Sequence, residues 1–232
     1  MSKRYEKAAA LVEPEKSYPL GEAITVLKSM PPVKFDETVE LSISLGIDPA
    51  KSDQAIRGTV ILPHGTGRTR RVLVFCKGEH EILAKQAGAD FVGGNELIDK
   101  VQQGWLEFDV AIATPELMKD VSRLGKLLGP RGLMPNPKAG TVSNDVARAV
   151  TEVKQGKVEF KMDKLANLHV VVGKVSFAAE RLLENAKVVL EAILRSRPSA
   201  VKGTFVRRVA LASTMSPGIT VDLQPFVERE QE

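Results

Sequence analysis

The chain has 232 residues, 43% hydrophobic and 27% charged, with a net charge of +4. This is an ordinary soluble globular balance, with disorder expected only at the ends, and the length suits one large domain or two of roughly 100–130 residues. No run approaches the ~20 apolar residues of a membrane helix. The opening Met-Ser-Lys-Arg-Tyr-Glu-Lys sets charges too early and too often for a signal-peptide core, and it carries acids that a transit peptide usually lacks. A cytoplasmic protein with no membrane partner is expected.

Cys76 is the only cysteine, which excludes an intrachain disulfide and a thiolate metal cluster. It ends the apolar run Val72-Leu-Val-Phe-Cys76 and reads as a small buried hydrophobe. His64, His80 and His169 lack the spacing of metal ligands, so no metal and no cofactor are expected. The basic excess is uneven: residues 67–157 carry 14 basic and 11 acidic side chains, a net of +3, which leaves +1 for the rest. Neither part is a polybasic tail, so a polyanion would have to be met by a shaped local patch.

In chain order, residues 2–11 predict a short basic amphipathic helix that stops before Pro14. Residues 20–30 predict a second, with Ala23, Ile24 and Leu27 on one face and Pro31-Pro32 ending it. Near-strict alternation over 35–47 predicts a strand half-exposed to water, and 57–62 a further strand closed by Pro63-His-Gly-Thr-Gly67. The style then changes. The continuous apolar run 71–75 suits a strand covered on both faces. Helices at 79–87 and 96–103 alternate with strands at 91–92 and 110–113. Thr114-Pro115-Glu116 reads as a helix start with Thr as N-cap, and 144–155 is a last helix.

Past Gly156 the alternating style returns. Residues 157–162 and 168–175 predict an antiparallel pair around the turn Asp163-Lys-Leu-Ala-Asn167, and a long helix follows at 178–195, burying Leu182, Leu183, Ala186, Val189, Leu190, Ile193 and Leu194. Strands at 204–212 and 219–223 precede a frayed acidic tail, 228–232. The economical topology is an α+β domain built from both chain ends, 1–66 and 157–232. Into it is inserted a doubly wound, Rossmann-like α/β domain spanning 67–156.

Such an insert invites a nucleotide, but the glycine pattern does not. Gly65-Thr-Gly67 precedes the first strand of the insert, and only Gly78 follows it. Gly93-Gly94 lacks a third glycine, and no Gly-Lys-Ser/Thr occurs. No Ser, His and acid fall into a recognisable nucleophile pattern. The densest unusual segment is 124–142, with four glycines and three prolines around Lys126, Arg131 and Lys138. Proline fixes φ and glycine widens it, so this reads as a stiff loop presenting cations. On composition alone it is equally a structural crossover or an anion site.

Leu128-Gly-Pro-Arg-Gly-Leu-Met-Pro-Asn-Pro-Lys-Ala-Gly-Thr-Val142 resembles the signature of the bacterial ribosomal protein L-one family, the stalk protein beside the tRNA exit site. Further similar segments follow in the family's order, namely Lys34-Phe-Asp-Glu-Thr-Val-Glu-Leu41, Gly46-Ile-Asp-Pro49, Ser52-Asp-Gln54, Arg57-Gly-Thr59, Leu62-Pro-His-Gly65, Asp90-Phe-Val-Gly-Gly94, Ala113-Thr-Pro115 and Lys202-Gly-Thr-Phe205. The resemblance implies that the domain made from both termini grips large-subunit rRNA. It implies that the same surface represses translation of the protein's own mRNA leader, and that the mobile insert takes part in releasing deacylated exit-site tRNA. The free protein is then a monomer and no enzyme.

By the same resemblance the rRNA and mRNA surface comprises Lys34, Phe35, Thr38, Lys164, His169, Lys202, Thr204, Thr214, Met215 and Ser216. Lys126, Arg131 and Lys138 form a tRNA or anion-binding loop. Ser216 departs from the family's usual glycine, which raises the question of crowding against RNA. At 5% aromatic content, with one Trp and two Tyr, recognition by base stacking is disfavoured. Contacts from Thr, Ser and main chain to a preformed RNA shape are favoured. The competing readings are a nucleotide-dependent enzyme and a scaffold whose basic loop binds acidic partners.

Overall fold

The computed structural model describes all residues except Met1, Ala50, Ser52, Asp53, Ser199, Ala200, Lys202 and residues 228–232. The candidate site residue Lys202 and the acidic tail therefore lie outside the described residues. The chain divides into two compact units, one of Met1–Gly67 with Val158–Glu232 and one of Arg68–Lys157. The architecture is mixed α/β, as expected.

The first unit opens with α1 (Lys3–Ala9), whose N-cap Ser2 accepts from the Tyr5 N–H. Helix α2 (Leu20–Ser29) buries Leu20, Ala23, Ile24 and Leu27 along one stripe and ends before the Pro31-Pro32 pair, which cannot continue a helix. Strand β1 (Thr38–Leu45) alternates strictly between half-exposed and buried, and β2 (Arg57–Ile61) follows.

The second unit contains β3 (Val72–Phe75), α3 (Glu79–Gln86), β4 (Phe91–Gly93), α4 (Asn95–Gln102) and β5 (Val110–Ala113). After them come α5 (Met118–Val121), α6 (Gly125–Leu128) and α7 (Val146–Gln155). Its sheet is parallel, in the order β4-β3-β5. Val72, Val74, Cys76 and Ile112 pack with Ala84 of α3 and with Val146, Ala149, Val150 and Val153 of α7. Leu73, Phe75, Ala111 and Ala113 pack with Ile98 and Val101 of α4 and with Leu117, Val121, Leu124 and Leu128. Both faces are thus covered, which is why β3 reads as an unbroken apolar run.

The helix start at Thr114 is weaker than its sequence suggests. Thr114 makes no side-chain cap, and Pro115 opens a 3-10 turn that leads into α5, a second 3-10 turn and α6. Thr114 is buried, and its N–H donates to the Phe75 carbonyl at 3.0 Å. It therefore serves the sheet and not the helix.

The chain then returns to the first unit through β6 (Lys157–Lys161), β7 (Asn167–Lys174), α8 (Ala179–Arg195), β8 (Val206–Ser213), β9 (Ile219–Val221) and α9 (Gln224–Val227). Here one expectation fails. Strands β6 and β7 do not form a hairpin; β6 pairs with β2, and β7 joins a four-stranded sheet of order β7-β1-β8-β9. The reason lies in the intervening turn. The Asp163 carboxylate accepts from the N–H groups of Leu165 at 2.8 Å and Asn167 at 2.7 Å. Ala166 takes a positive φ of 61°, and its carbonyl accepts from Leu45 of β1 at 2.9 Å. The turn thereby hands the chain from one sheet to another.

The four-stranded sheet is antiparallel throughout. Leu182, Ala186, Val189, Leu190 and Ile193 of α8 join the stripe of α2 and the inward residues Val39, Leu41, Ile43 and Leu45 in one core. Leu183, expected to be buried, is only partly so and packs at the rim of that core. The opposite phase of β1, formed by Thr38, Glu40, Ser42 and Ser44, stays partly exposed.

Candidate nucleic-acid interface

At the start of β1 the main chains of Thr38 and Thr214 meet. The Thr38 N–H donates to Thr214 Oγ1 at 3.1 Å, and the Thr214 N–H donates to the Thr38 carbonyl at 3.1 Å. Lys174 of β7 reaches the same place, donating to Thr38 Oγ1 at 2.9 Å and to the Asp36 carbonyl at 3.1 Å. The Asp36 carboxylate accepts from the Ser176 N–H at 3.1 Å and from its hydroxyl at 2.8 Å.

Below this rim lies Glu37, buried, whose carboxylate accepts from the Ser213 hydroxyl. Its placement follows from periodicity: it stands two residues before Val39, in the inward phase of β1. Above the rim, Phe35 and Met215 are 54% and 50% exposed, and Lys34 is exposed beside them. A small cavity opens between the two segments, lined by Met30, Phe35, Asp36, Glu37, Ser213 and Ser216 among others.

Six of the sequence-derived candidates are therefore brought to one end of the sheet: Lys34, Phe35, Thr38, Thr214, Met215 and Ser216. The Ser216 hydroxyl is turned inward. It accepts from the Ser213 N–H at 2.8 Å and donates to the Pro217 carbonyl at 3.0 Å, so it staples the turn and leaves Met215 to project. His169 stands further along the exposed face, its Nδ1 3.1 Å from the Ser42 hydroxyl, opposite Ser42 in the register.

Lys164 and Thr204 are exposed at the other end of the strands. Lys164 lies in the Asp163 turn beside Leu45, and Thr204 precedes β8, whose Val206 faces Leu45. Thr204 is close enough to β1 that a Cβ on Gly46 would come within 2.0 Å of its carbonyl oxygen. Sequence reasoning missed Arg4, Glu37, Ser213 and Asn185. Only Glu37 carried a legible signal, the backward extension of the β1 alternation.

In the second unit, Lys126, Arg131 and Lys138 are all exposed, and none pairs with a carboxylate among the described residues. Their loop is built and not slack. Asn136 Oδ1 accepts from the Lys138 N–H and its own N–H donates to Thr141 Oγ1, both at 2.8 Å. Gly132 and Gly140 adopt φ values of 70° and 64°, which a side chain disfavours.

The carboxyl ends of the parallel strands offer a nucleotide little. The first turn of α3 carries Glu79 and Glu81, whose charges oppose phosphate where a helix N-terminus would otherwise attract it. Cys76 is fully buried, and that burial pushes its thiol up to about 11, far from a reactive thiolate. No group of three or more His, Cys, Asp or Glu among the described residues could hold a metal ion. No described helix is long and apolar enough to cross a membrane.

Comparison with known proteins shows the family of the chain. The model of the ribosomal protein L1p/L10e family matches residues 27–217. A large ribosomal subunit protein uL1 of Kosmotoga olearia is 56% identical over 227 residues, 98% of each chain. Another, of Pseudarthrobacter chlorophenolicus, is 55% identical over 221 residues, covering 95% of this chain and 94% of its own. The chain belongs to the ribosomal protein L1p/L10e family. It is accordingly a ribosomal protein and not an enzyme.

Proposed function

We propose that this chain is a structural protein of the large ribosomal subunit that grips rRNA with the Phe35–Met215 end of its four-stranded sheet. The observation that carries the reading is the coexistence of two half-exposed apolar side chains with a frame tied together by its own hydrogen bonds. Phe35 and Met215 stand at 54% and 50% exposure on segments fixed by the Thr38–Thr214 and Asp36–Ser176 hydrogen bonds. A rigid surface of this kind suits a preformed RNA shape, met through hydroxyls, main-chain groups and a few cations. Lys34 supplies one such cation, and Lys164, His169 and Thr204 extend the contact along the sheet.

Within this reading the two units divide the work. The unit made from both chain ends anchors the protein, and the second unit forms the moving part of a stalk near the tRNA exit site. Its exposed Lys126, Arg131 and Lys138 meet tRNA backbone there and assist release of deacylated tRNA. The same anchoring surface takes a matching fold in the protein's own mRNA leader and represses its translation.

Phe35→Ala and Met215→Ala test the anchor. Each removes contact surface, and each is expected to weaken binding of the rRNA fragment protected by wild-type protein about tenfold, roughly 1.4 kcal/mol, with an unchanged melting temperature. A stability loss on the core-cavity scale, ~2–5 kcal/mol, would make the residue a packing element instead. Failure of the wild-type chain to co-sediment with large subunits would overturn the whole reading.

A further inference from the structure

We propose that Arg4 is a positioning residue of the RNA interface, a latch on helix α1 that orders both halves of the site without touching RNA. The inference rests on the reading that the Phe35–Met215 end of the sheet binds RNA. The guanidinium of Arg4 donates from Nη1 to the Pro31 carbonyl at 3.4 Å and from Nη2 to the Met215 carbonyl at 2.5 Å. These acceptors lie in the two segments that present Phe35 and Met215, and the chain separation between Arg4 and Met215 is 211 residues. Arg4 also lines the cavity between those segments, with Met30, Phe35, Glu37, Ser213 and Ser216.

Three features give this contact a purpose beyond packing. First, no carboxylate pairs with Arg4 among the described residues, and both hydrogen bonds of its guanidinium go to main-chain oxygens. A guanidinium presents its donors in a rigid planar fork that fixes the relative placement of two acceptors, whereas a lysine ammonium is a single point on a flexible stem. Second, α1 is only seven residues long, below the length at which an isolated helix is stable, so it relies on such tertiary contacts to stay docked. Third, Met215 lies in the turn between β8 and β9, outside regular structure. Ser216 closes it from within, and Arg4 is its tie to the Pro31 side. A turn ordered before binding spares the complex the entropy of ordering it.

The competing role for Arg4 is direct contact with a phosphate, and salt dependence separates the two. A lost phosphate contact lowers the slope of log affinity against log salt by about one, whereas a lost positioning contact leaves the slope alone. The experiment uses the full chain and the rRNA fragment that wild-type protein protects from nuclease. Arg4→Met and Arg4→Lys are compared with wild type, with Phe35→Ala and Met215→Ala run alongside.

Both Arg4 variants are expected to bind about tenfold more weakly with an unchanged salt slope. In the free protein, amide exchange at residues 214–216 should quicken, and this difference should shrink in the RNA complex. Arg4→Lys keeps the charge but not the fork, so its failure to restore binding marks positioning. A slope reduced by about one in Arg4→Met, with Arg4→Lys near wild type, would put Arg4 on a phosphate and overturn the proposal. Unchanged affinity in both Arg4 variants, with losses at Phe35 and Met215, removes the latch and keeps the interface. Unchanged affinity at Phe35 and Met215 removes the interface itself, and the latch with it. Arg4→Lys also guards against misfolding of the Met variant, because it leaves the apolar stem and charge of α1 intact.

Discussion

The side-chain oxygen of Asn185 accepts a hydrogen bond from the backbone N–H of His64 at 3.1 Å. The amide nitrogen of the same side chain donates to the Gly65 carbonyl at 3.0 Å and to the Val172 carbonyl at 2.8 Å. Asn185 is fully buried on α8, on a helix face otherwise made of Leu182, Ala186 and Val189. A polar residue is retained there because the loop leaving the first unit brings main-chain groups into the interior, and they need partners.

Asn185→Leu is therefore expected to destabilise the protein although it is more hydrophobic and sits on an apolar stripe. It orphans one N–H and two carbonyls, each costing ~1–3 kcal/mol if left unpaired, so a net loss of roughly 2–4 kcal/mol in urea unfolding is predicted. A loss below about 1 kcal/mol would mean that the loop finds other partners, and Asn185 would then be a passenger.

The compactness of the first unit leads to a second expectation. Deleting residues 68–156 and joining the ends with a short Gly/Ser linker should leave a folded chain. Its sheet, its helices and the β2–β6 pair are complete without the deleted segment. It should bind the same rRNA fragment with affinity near wild type. A product lacking cooperative unfolding, or folded but unable to bind, would place essential contacts in the deleted segment.

Asp163 provides a pH-dependent test. Hydrogen bonds from the Asn167 N–H first, and also from Leu165, hold its carboxyl below the usual aspartate range. A carboxyl whose folded value is depressed adds stability above its unfolded value, about pH 4, and loses it as pH falls through the lower folded value. The difference in melting temperature between wild type and Asp163→Asn should accordingly be present at pH 7 and vanish under acid. A difference that persists at low pH would assign the effect to geometry and not to charge.

The exposed cations of the second unit permit a fourth prediction. Replacing Lys126, Arg131 and Lys138 together with Gln should leave the affinity and salt slope for isolated rRNA unchanged, while impairing release of deacylated tRNA from assembled ribosomes. A fall of about three in the rRNA salt slope, one per lost phosphate contact, would put the loop on rRNA. No effect in either assay would make it a structural crossover.

How far the sequence could be read depended on whether the signal was local. Strand β1, with Val39, Leu41, Ile43 and Leu45 at period two, and helix α8, with Leu182, Ala186, Val189 and Ile193 at helical spacing, are legible because each declares its own buried face. The pairing of β6 and β7 was misread because adjacency in sequence suggests a hairpin. The partner choice is made by a turn whose decisive features, the Asp163 carboxylate and the positive φ of Ala166, carry no pattern. Phe35 and Met215 stand out from their neighbours in sequence only through a family resemblance. Arg4 is not legible at all, because its partners lie 27 and 211 residues away. Asn185 was hidden for the opposite reason: on an apolar face, a single amide looks like an interruption.

The strand order β7-β1-β8-β9 also sets a schedule for synthesis. Strand β1 is the earliest strand made, yet both of its neighbours, β7 and β8, come from the last third of the chain. A nascent polypeptide that has passed Lys157 holds every strand of the second unit, and that sheet is built from near neighbours in sequence. The first unit must wait for residues beyond Val206, and long-range pairings of this kind form slowly. The Thr38–Thr214 contact cannot exist on a partial product. On the proposed reading, a chain truncated before Thr214 lacks one side of the RNA surface and does not compete for that RNA.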